Sequence, residues 1–430
     1  NSLALFYTSN DLRFEIKNST GGMEQAYAPN ALSPGTFTHI LATWDKRENI
    51  YVIKLFVNGE YYDSKQLYGT IVHSGRNLVI GNSNYYGHAK GIIDEVSFYD
   101  WALVDPEVYP EYVYATHRFS KQEKTKPAPD SNAPIQILPD GVLKVHDVNF
   151  KIKGVGYQPL AIGMENNEAN RRKVLTDPNI IARDVNYLRN MNVNTVRLWA
   201  ELPDGNTLLL DKLYEAGIYA ILGIWIPDTN INYAEPCDIN YLLNKAANYI
   251  NTYKNHPAVL AWAFGNEINR SYKGNLSDWY RLANELAKKA YEVEGGQYHP
   301  TMIINAWTVY MGDNDFSSSD PCLDYVDMWG LNLYTRKEYY KFFDFYDKIT
   351  TKPLAVTEYG IDANDNQNKV EYPRVQAEWV VREWEQIKEN SYGGVVMEYC
   401  DEYWKGGDPN IQRADGNYAD THPDNFSNEA

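Results

Sequence analysis

Val259-Leu-Ala-Trp-Ala-Phe-Gly-Asn-Glu267 is an apolar run that leads through a turn into a glutamate. An unbroken apolar run of this length is typical of a strand that is buried on both faces, as in a parallel sheet covered by helices. Leu354-Ala-Val-Thr-Glu-Tyr-Gly360 repeats the pattern and carries Glu358 near its end. The two stretches predict buried parallel strands, each with a carboxylate at its carboxyl end.

Similar apolar runs recur along the rest of the chain from residue 135. After a hairpin predicted at 136–150, eight apolar runs alternate with amphipathic segments whose apolar residues are spaced three and four apart. The strands are predicted at 152–157, 194–199, 218–225, 259–264, 301–305, 327–333, 353–357 and 393–399. The helices are predicted at 178–191, 206–216, 238–254, 277–294, 338–349 and 372–389, and 158–178, 226–237, 306–326 and 361–372 are expected to be loops. Eight such units predict a (β/α)8 TIM barrel over 135–430.

The first part of the chain, residues 1–116, has a different pattern. Short strand-like runs at 37–44, 50–57, 78–80 and 91–99 alternate with turns, and the Asn58-Gly59 step predicts a hairpin. These features predict an antiparallel all-β sandwich. A charged, proline-rich linker is predicted at 117–134, because this stretch has few residues to bury.

Composition argues against several classes of partner and site. The net charge of −17, from 57 acidic and 40 basic residues, argues against a nucleic-acid partner, which needs clustered Lys and Arg. No run reaches 18 apolar residues, so no membrane insertion is expected. Three scattered cysteines and eight histidines without ligand spacing predict neither a disulfide framework nor a metal site.

The strand tips carry the candidate chemistry. Active sites of such barrels lie at the carboxyl ends of the strands, and the fourth and seventh tips face each other across the mouth. Glu267 and Glu358 are therefore predicted to be the catalytic pair of a retaining glycoside hydrolysis, in which two carboxyl groups lie about 5–5.5 Å apart. Arg197, inside the second strand, is predicted to keep Glu358 ionised.

Taken together, the Asn266-Glu267 pair and Thr357-Glu-Tyr-Gly360 resemble the retaining glycoside hydrolases of clan A over residues 135–430. The resemblance implies that Glu267 is the acid/base and Glu358 the nucleophile. It also implies that Asn266 bonds the sugar 2-hydroxyl and that Tyr334 donates to the nucleophile. It further implies that Trp404 is a sugar platform, that is, a flat aromatic ring against which the bound sugar stacks.

Further substrate-binding candidates surround these residues. Trp225 and Trp307 are candidate platforms because flat aromatic rings stack on sugars. Glu402 is a candidate ligand of sugar hydroxyls, and Glu398 and Asp401 lie beside it in the sequence. Asn332 is left open between a structural and a substrate-binding role.

Two families within the clan are compatible with the barrel. Lys153-Gly-Val-Gly-Tyr-Gln-Pro159 and Gly394-Val-Val-Met-Glu-Tyr399 resemble the fungal β-1,3-glucanosyltransferases, although the cysteine pattern of that family is absent. The lead-in Asp140-Gly-Val-Leu143 has parallels in the family-2 type β-galactosidases, β-mannosidases and β-glucuronidases, which carry two immunoglobulin-like sandwiches before the barrel. The N-terminal region instead resembles a laminin-G or concanavalin-like jelly roll, through Ala42-Thr-Trp44 and Leu55-Phe-Val-Asn-Gly59.

We therefore expect a secreted or cell-surface enzyme that acts on a polysaccharide. A binding module next to a catalytic barrel raises the local concentration of enzyme on a polymer. β-1,3-Glucan hydrolysis is the favoured reaction, with transglycosylation as a second fate of the fragment, and a carbohydrate-binding protein without catalysis is the alternative from another class. No cofactor is predicted; similar jelly rolls sometimes carry structural calcium, but no residue pattern here specifies it. Because the chain starts at Asn1 and only 401–430 follow the eighth strand, a processed or trimmed sequence is expected.

Overall fold

The protein comprises two compact units, Asn1–Arg118 and Phe119–Ala430. The computed structural model describes residues 3–47, 50–69, 133–138, 142–203, 205–295, 299–334, 339, 342–361, 363–365, 370–406 and 408–410, with isolated positions from 80 to 98. The predicted linker 117–134 lies outside these residues except at its end. The predicted strands 78–80 and 91–99 also lie outside them, apart from single positions.

The N-terminal unit contains antiparallel strands, as the sequence predicts. One sheet has the order β1-β2-β3 and another the order β4-β5-β6. The tight turn after β5 is formed by Asn58 and Gly59, both with positive φ, which is the conformation that a two-residue hairpin requires. Phe14, Ile53 and Leu55 lie in the buried cluster of this unit. The bounds of these strands are β1 Leu3–Thr8, β2 Asp11–Lys17, β3 Met23–Ala28, β4 Ile40–Arg47, β5 Ile50–Val57 and β6 Glu60–Tyr68, followed by the short pair β7 Asn82–Ser83 and β8 Gly87–His88.

The second unit is built on a closed barrel of eight parallel strands, one for each predicted run. Its strands, in order around the ring, are β12 Ile152–Gly156, β13 Thr195–Leu198, β14 Tyr219–Ile224, β15 Val259–Phe264, β16 Thr301–Ala306, β17 Met328–Asn332, β18 Leu354–Tyr359 and β21 Gly393–Val396. The eighth strand is shorter than predicted: it ends at Val396, and a cis peptide follows between Met397 and Glu398. Glu398, Glu402 and Trp404 therefore lie in the segment after the strand.

Helices surround the barrel. They are α1 Glu168–Thr176, α2 Pro178–Asn190, α3 Leu208–Glu215, α4 Pro236–Tyr253, α5 Ile268–Ser271, α6 Leu276–Glu294, α7 Phe342–Ile349 and α8 Pro373–Asn390. Local capping explains several ends: Asp177 accepts hydrogen bonds from the first amides of α2, and Gly295 takes the left-handed conformation at the end of α6. The prediction of a loop at 158–178 is wrong for α1, which buries only Val174 and Leu175 and therefore lacks a clear apolar period.

A small antiparallel sheet covers the amino-terminal end of the barrel. Its strands are β9 Ile135–Ile137, β10 Leu143–Val145 and β11 Val148–Asn149, in the region of the predicted hairpin. Ile135 and Leu143 share one buried cluster with Ile152, Leu260 and Met302 of the barrel strands. The opposite, carboxyl-terminal end of the barrel holds the candidate site. A two-residue pair, β19 Asn364–Asp365 with β20 Val370–Glu371, lies in the segment after the seventh strand.

Candidate active site

Glu358 is an enclosed carboxylate at the carboxyl-terminal end of the barrel. It is the fifth residue of β18 and is only 5% exposed. Three side chains donate hydrogen bonds to it: Arg197 and Trp199 to Oε1, both at 2.8 Å, and the Tyr334 hydroxyl to Oε2 at 2.7 Å. Donors on both oxygens hold the carboxylate in one orientation.

Arg197 lies in β13 and is 1% exposed, as expected for an inward-facing residue of the second strand. Besides its bond to Glu358, its Nη1 donates to the backbone oxygen of Thr357 at 2.9 Å, and its Nη2 donates to Asn266 Oδ1 at 2.6 Å. The guanidinium thus connects the second, fourth and seventh strands. Its fixed charge lies beside the buried carboxylate of Glu358.

Asn332 links Glu267 to Arg197, which in turn donates to Glu358. Its Nδ2 donates to Glu267 Oε1 at 2.9 Å, and its Oδ1 accepts from Thr357 Oγ1 at 2.9 Å and from Arg197 Nη1 at 3.3 Å. Because Asn332 is 0% exposed and both ends of its amide bond protein groups, its contacts favour the structural of the two roles considered. Its amide holds the Glu267 carboxylate beside the Arg197 guanidinium.

Glu267 takes its position from an unusual backbone turn. It follows β15 with φ 53° and ψ 31°, a left-handed conformation that is costly for a residue with a side chain. Gly265, two residues earlier, has φ 66°, and its amide and that of Glu267 donate to Ile224 O and Ile304 O at 3.0 Å each. These backbone bonds to both neighbouring strands hold the turn, which turns the half-buried Glu267 toward Asn332.

Trp199 is a site residue that the sequence analysis did not identify. It follows β13 directly, and its indole N–H donates to Glu358. The signal was present: Arg197 and Trp199 are two residues apart, so they lie on the same face of an extended chain. The stretch was noted for its arginine, and no role was assigned to the indole.

The predicted sugar platforms differ in exposure. Trp225 is 42% exposed, whereas Trp307 is 7% exposed and packs edge-on against Phe342, with ring centroids 6.3 Å apart. Trp404 is half-buried in a 3-10 turn, and Lys405 Nζ lies 5.8 Å from its ring centroid. Trp225 therefore offers the most accessible ring of the three.

Glu402 bonds protein groups. Its Oε1 accepts from Gln158 Nε2 at 3.0 Å, its Oε2 lies 2.5 Å from Lys405 Nζ, and its side chain is 6% exposed. Beside it, burial and then the charge of Glu402 raise the pKa of Glu398 well above the ordinary value, despite Lys405. Glu398 and Glu402 thus form an acidic cluster after the eighth strand.

The described part of the chain contains no group of three His, Cys, Asp or Glu residues arranged to hold a metal ion. Within the same residues, no helix is both long and apolar enough to cross a membrane. Cys237, Cys322 and Cys400 are all free thiols.

Comparison with known proteins agrees with this geometry. The family described as "Glucanosyltransferase" matches residues 125–429, and the "Concanavalin A-like lectin/glucanases superfamily" matches residues 1–109. The probable 1,3-beta-glucanosyltransferase GAS3 of Saccharomyces cerevisiae is 26% identical over 307 residues, which cover 65% of this chain and 56% of GAS3. The chain spans about half the length of this relative.

Two solved structures are among the matches, both with TM-scores below 0.5. The structure of Saccharomyces cerevisiae Gas2p in complex with laminaripentaose matches with a TM-score of 0.46 and 18% identity, covering 63% of this chain and 62% of that one. A β-D-glucuronidase from Dictyoglomus thermophilum matches with a TM-score of 0.49 and 12% identity, covering 93% and 61%. The sequence is compatible with two families, the glucanosyltransferases and the family-2 type β-glycosidases, and the family match favours the first. Through residues 125–429, the chain belongs to the glucanosyltransferase family.

Proposed function

We propose that this protein is a retaining enzyme that cleaves β-1,3-glucan and transfers the released glycosyl group to a second sugar chain, with water as the competing acceptor. The observation that carries the proposal is the arrangement around Glu358, which is held by Arg197, Trp199 and Tyr334. Glu267 is linked to this arrangement through Asn332, which bonds both Glu267 and Arg197. Family membership supports the reaction class, and the name of GAS3 supports the glucan.

The first step divides the work between the two glutamates. An oxygen of Glu358 attacks the anomeric carbon while the bond from that carbon to the glycosidic oxygen breaks, and Glu267 gives its proton to the departing oxygen. The product is a covalent ester between Glu358 and the sugar. Arg197 stays fixed beside the carboxylate throughout, because it also bonds three other strand-tip groups.

The second step reverses the roles. A hydroxyl of an acceptor sugar, or water, attacks the anomeric carbon, its proton passes to Glu267, and the electron pair of the ester bond returns to Glu358. Each step inverts the configuration at the anomeric carbon, so the two steps together retain it. An exposed ring such as Trp225 is suited to hold an acceptor chain, because stacking binds sugar faces with little dependence on the linkage.

The proposal extends to the place of action. A polymer of this kind lies outside the cell, so a secreted or cell-surface protein is proposed, with the N-terminal unit acting as a carbohydrate-binding module that keeps the barrel near the polymer. The match of residues 1–109 to the concanavalin A-like superfamily supports the binding module.

The experiment is a product analysis on laminarin and reduced laminarioligosaccharides, with the anomer followed by NMR. The wild type is expected to give retained products, including chains longer than the starting oligosaccharide. Glu358→Gln should abolish both products, whereas the control Glu292→Gln, an exposed glutamate paired with Lys289 on α6, should leave both unchanged. An inverted product, or activity on galactan or mannan with none on laminarin, would refute the proposal.

A further inference from the structure

The two oxygens of the Glu358 carboxylate are held unequally. Among the described contacts, Oε1 accepts two N–H donors, from Arg197 and Trp199, each at 2.8 Å. Oε2 accepts one, from the Tyr334 hydroxyl at 2.7 Å. Each carboxylate oxygen offers about two lone pairs, so both lone pairs of Oε1 are occupied and one lone pair of Oε2 is left.

We propose that Trp199 is a positioning residue that, with Arg197, holds Oε1 as the oxygen that does not attack. Oε2 then forms the bond to the anomeric carbon, and Oε1 becomes the carbonyl oxygen of the ester. This inference rests on the proposed function and adds the part that Trp199 takes in it.

The benefit of the Trp199 hydrogen bond differs between the two steps. In the first step Oε2 bonds to the anomeric carbon, so the carboxylate loses its charge and a donor to Oε1 stabilises it less than before. In the second step the ester bond breaks and its electron pair returns to the carboxylate. A donor on Oε1 then stabilises the transition state more than the ester, which is the condition for accelerating that step.

The backbone around Trp199 is built to admit its ring. A Cβ at Gly156 on β12 would lie 2.3 Å from Trp199 Cη2, and one at Gly223 on β14 would lie 2.6 Å from the Trp199 backbone oxygen. Both neighbouring strands therefore lack a side chain where the indole residue passes. The Arg197 guanidinium carbon lies 5.1 Å from the ring centroid, so the two donors of Oε1 also contact each other.

The test uses Trp199→Phe, which keeps an aromatic ring and removes the N–H. With 2,4-dinitrophenyl β-laminaribioside as the probe, the leaving group departs fast and the second step limits kcat. We expect kcat to fall about tenfold, the loss typical of one hydrogen bond to a charged group. kcat/KM should not fall, because it reports the first step, in which the donor stabilises the free carboxylate more than the transition state. Mass spectrometry after acid quenching should show a larger fraction of protein carrying the glycosyl ester.

Trp329→Phe is the matched control. Trp329 is a fully buried indole of β17 whose N–H has no hydrogen-bond partner among the described residues, so the same change removes no bond to the nucleophile. It should leave kcat and the trapped fraction unchanged. Gly156→Ala is a second route, because its Cβ displaces the Trp199 ring with the N–H intact, and it should reproduce the kcat loss.

The outcomes separate the two proposals. A Trp199→Phe enzyme that matches Trp329→Phe would overturn the inference. One that loses kcat/KM while keeping kcat would also overturn it, and would indicate that Trp199 binds the sugar instead. A wild type inactive on both laminarin and the aryl substrate would overturn the proposed function, and this inference with it.

Discussion

Replacing Arg197 by methionine removes the cation that faces the Glu358 carboxylate, and the contacts of Arg197 set the size of the expected loss of stability. The guanidinium is 1% exposed and makes four hydrogen bonds, to Glu358, Asn266, Asn332 and the Thr357 backbone oxygen. Removing one partner of a buried ion pair costs about 3–5 kcal/mol, because the remaining charge is left uncompensated. We therefore expect Arg197→Met to lower the free energy of unfolding by about that amount.

Urea denaturation followed by tryptophan fluorescence measures this loss. Trp44 and Trp101 lie before residue 118, so nine of the eleven tryptophans report on the second unit. The midpoint should move to lower urea concentration with an unchanged slope, because the same surface is exposed on unfolding. Activity on laminarin should be lost together with the stability.

The double variant Arg197→Met/Glu358→Gln tests whether charge is the cause. If an uncompensated carboxylate destabilises Arg197→Met, then neutralising Glu358 should restore about 1–3 kcal/mol of the loss. A loss of less than about 1 kcal/mol in the free energy of unfolding for Arg197→Met would refute this explanation, because an exposed ion pair contributes that little. The explanation is equally refuted if the double variant is no more stable than Arg197→Met alone.

Three further predictions follow from single contacts. Tyr334→Phe should lower kcat about 10- to 100-fold, because it removes the hydroxyl that donates to Glu358. Tyr346→Phe is the control: it loses a 2.8 Å hydrogen bond to the Lys352 backbone oxygen and should lower the free energy of unfolding by about 1 kcal/mol without changing activity. Burial raises the pKa of Glu383 well above 4.5, so the folded state holds this proton longer than the unfolded state, and stability falls as pH rises above about 4.5 until the folded pKa is passed. Glu383→Gln should therefore flatten this part of the pH–stability curve measured by urea denaturation, and a variant with the wild-type slope would contradict the assignment. Gly265→Ala should cost about 1–3 kcal/mol, because its φ is 66° and its Cβ would lie 2.9 Å from Ile268, and kcat should fall as Glu267 shifts; thermal melts and laminarin kinetics check both effects.

The barrel and its two glutamates could be predicted from the chain because their signals are local. Each buried parallel strand is a continuous apolar run, and Glu267 and Glu358 each lie at the carboxyl end of one. Because parallel strands all run in one direction, the two residues lie at the same end of the barrel. Arg197 could be predicted for the same reason, since a charge inside an apolar strand needs a buried partner. The ends of elements were less certain, as the shorter eighth strand and helix α1 show.

The supporting contacts could not be predicted in this way. Trp199 and Asn332 reach Glu358 and Glu267 across distances of 159 and 65 residues along the chain, and Glu402 reaches Gln158 across 244. Which atoms meet depends on the tilt of the strands, the gaps left at Gly156 and Gly223, and the left-handed turn at Glu267. The sequence by itself thus determined the strands, their order and the two carboxylates, because apolar periodicity and strand direction are local properties. Only the tertiary structure decided which oxygen of Glu358 each donor holds, because a hydrogen bond depends on distances of a few tenths of an ångström between residues that meet only when the barrel closes.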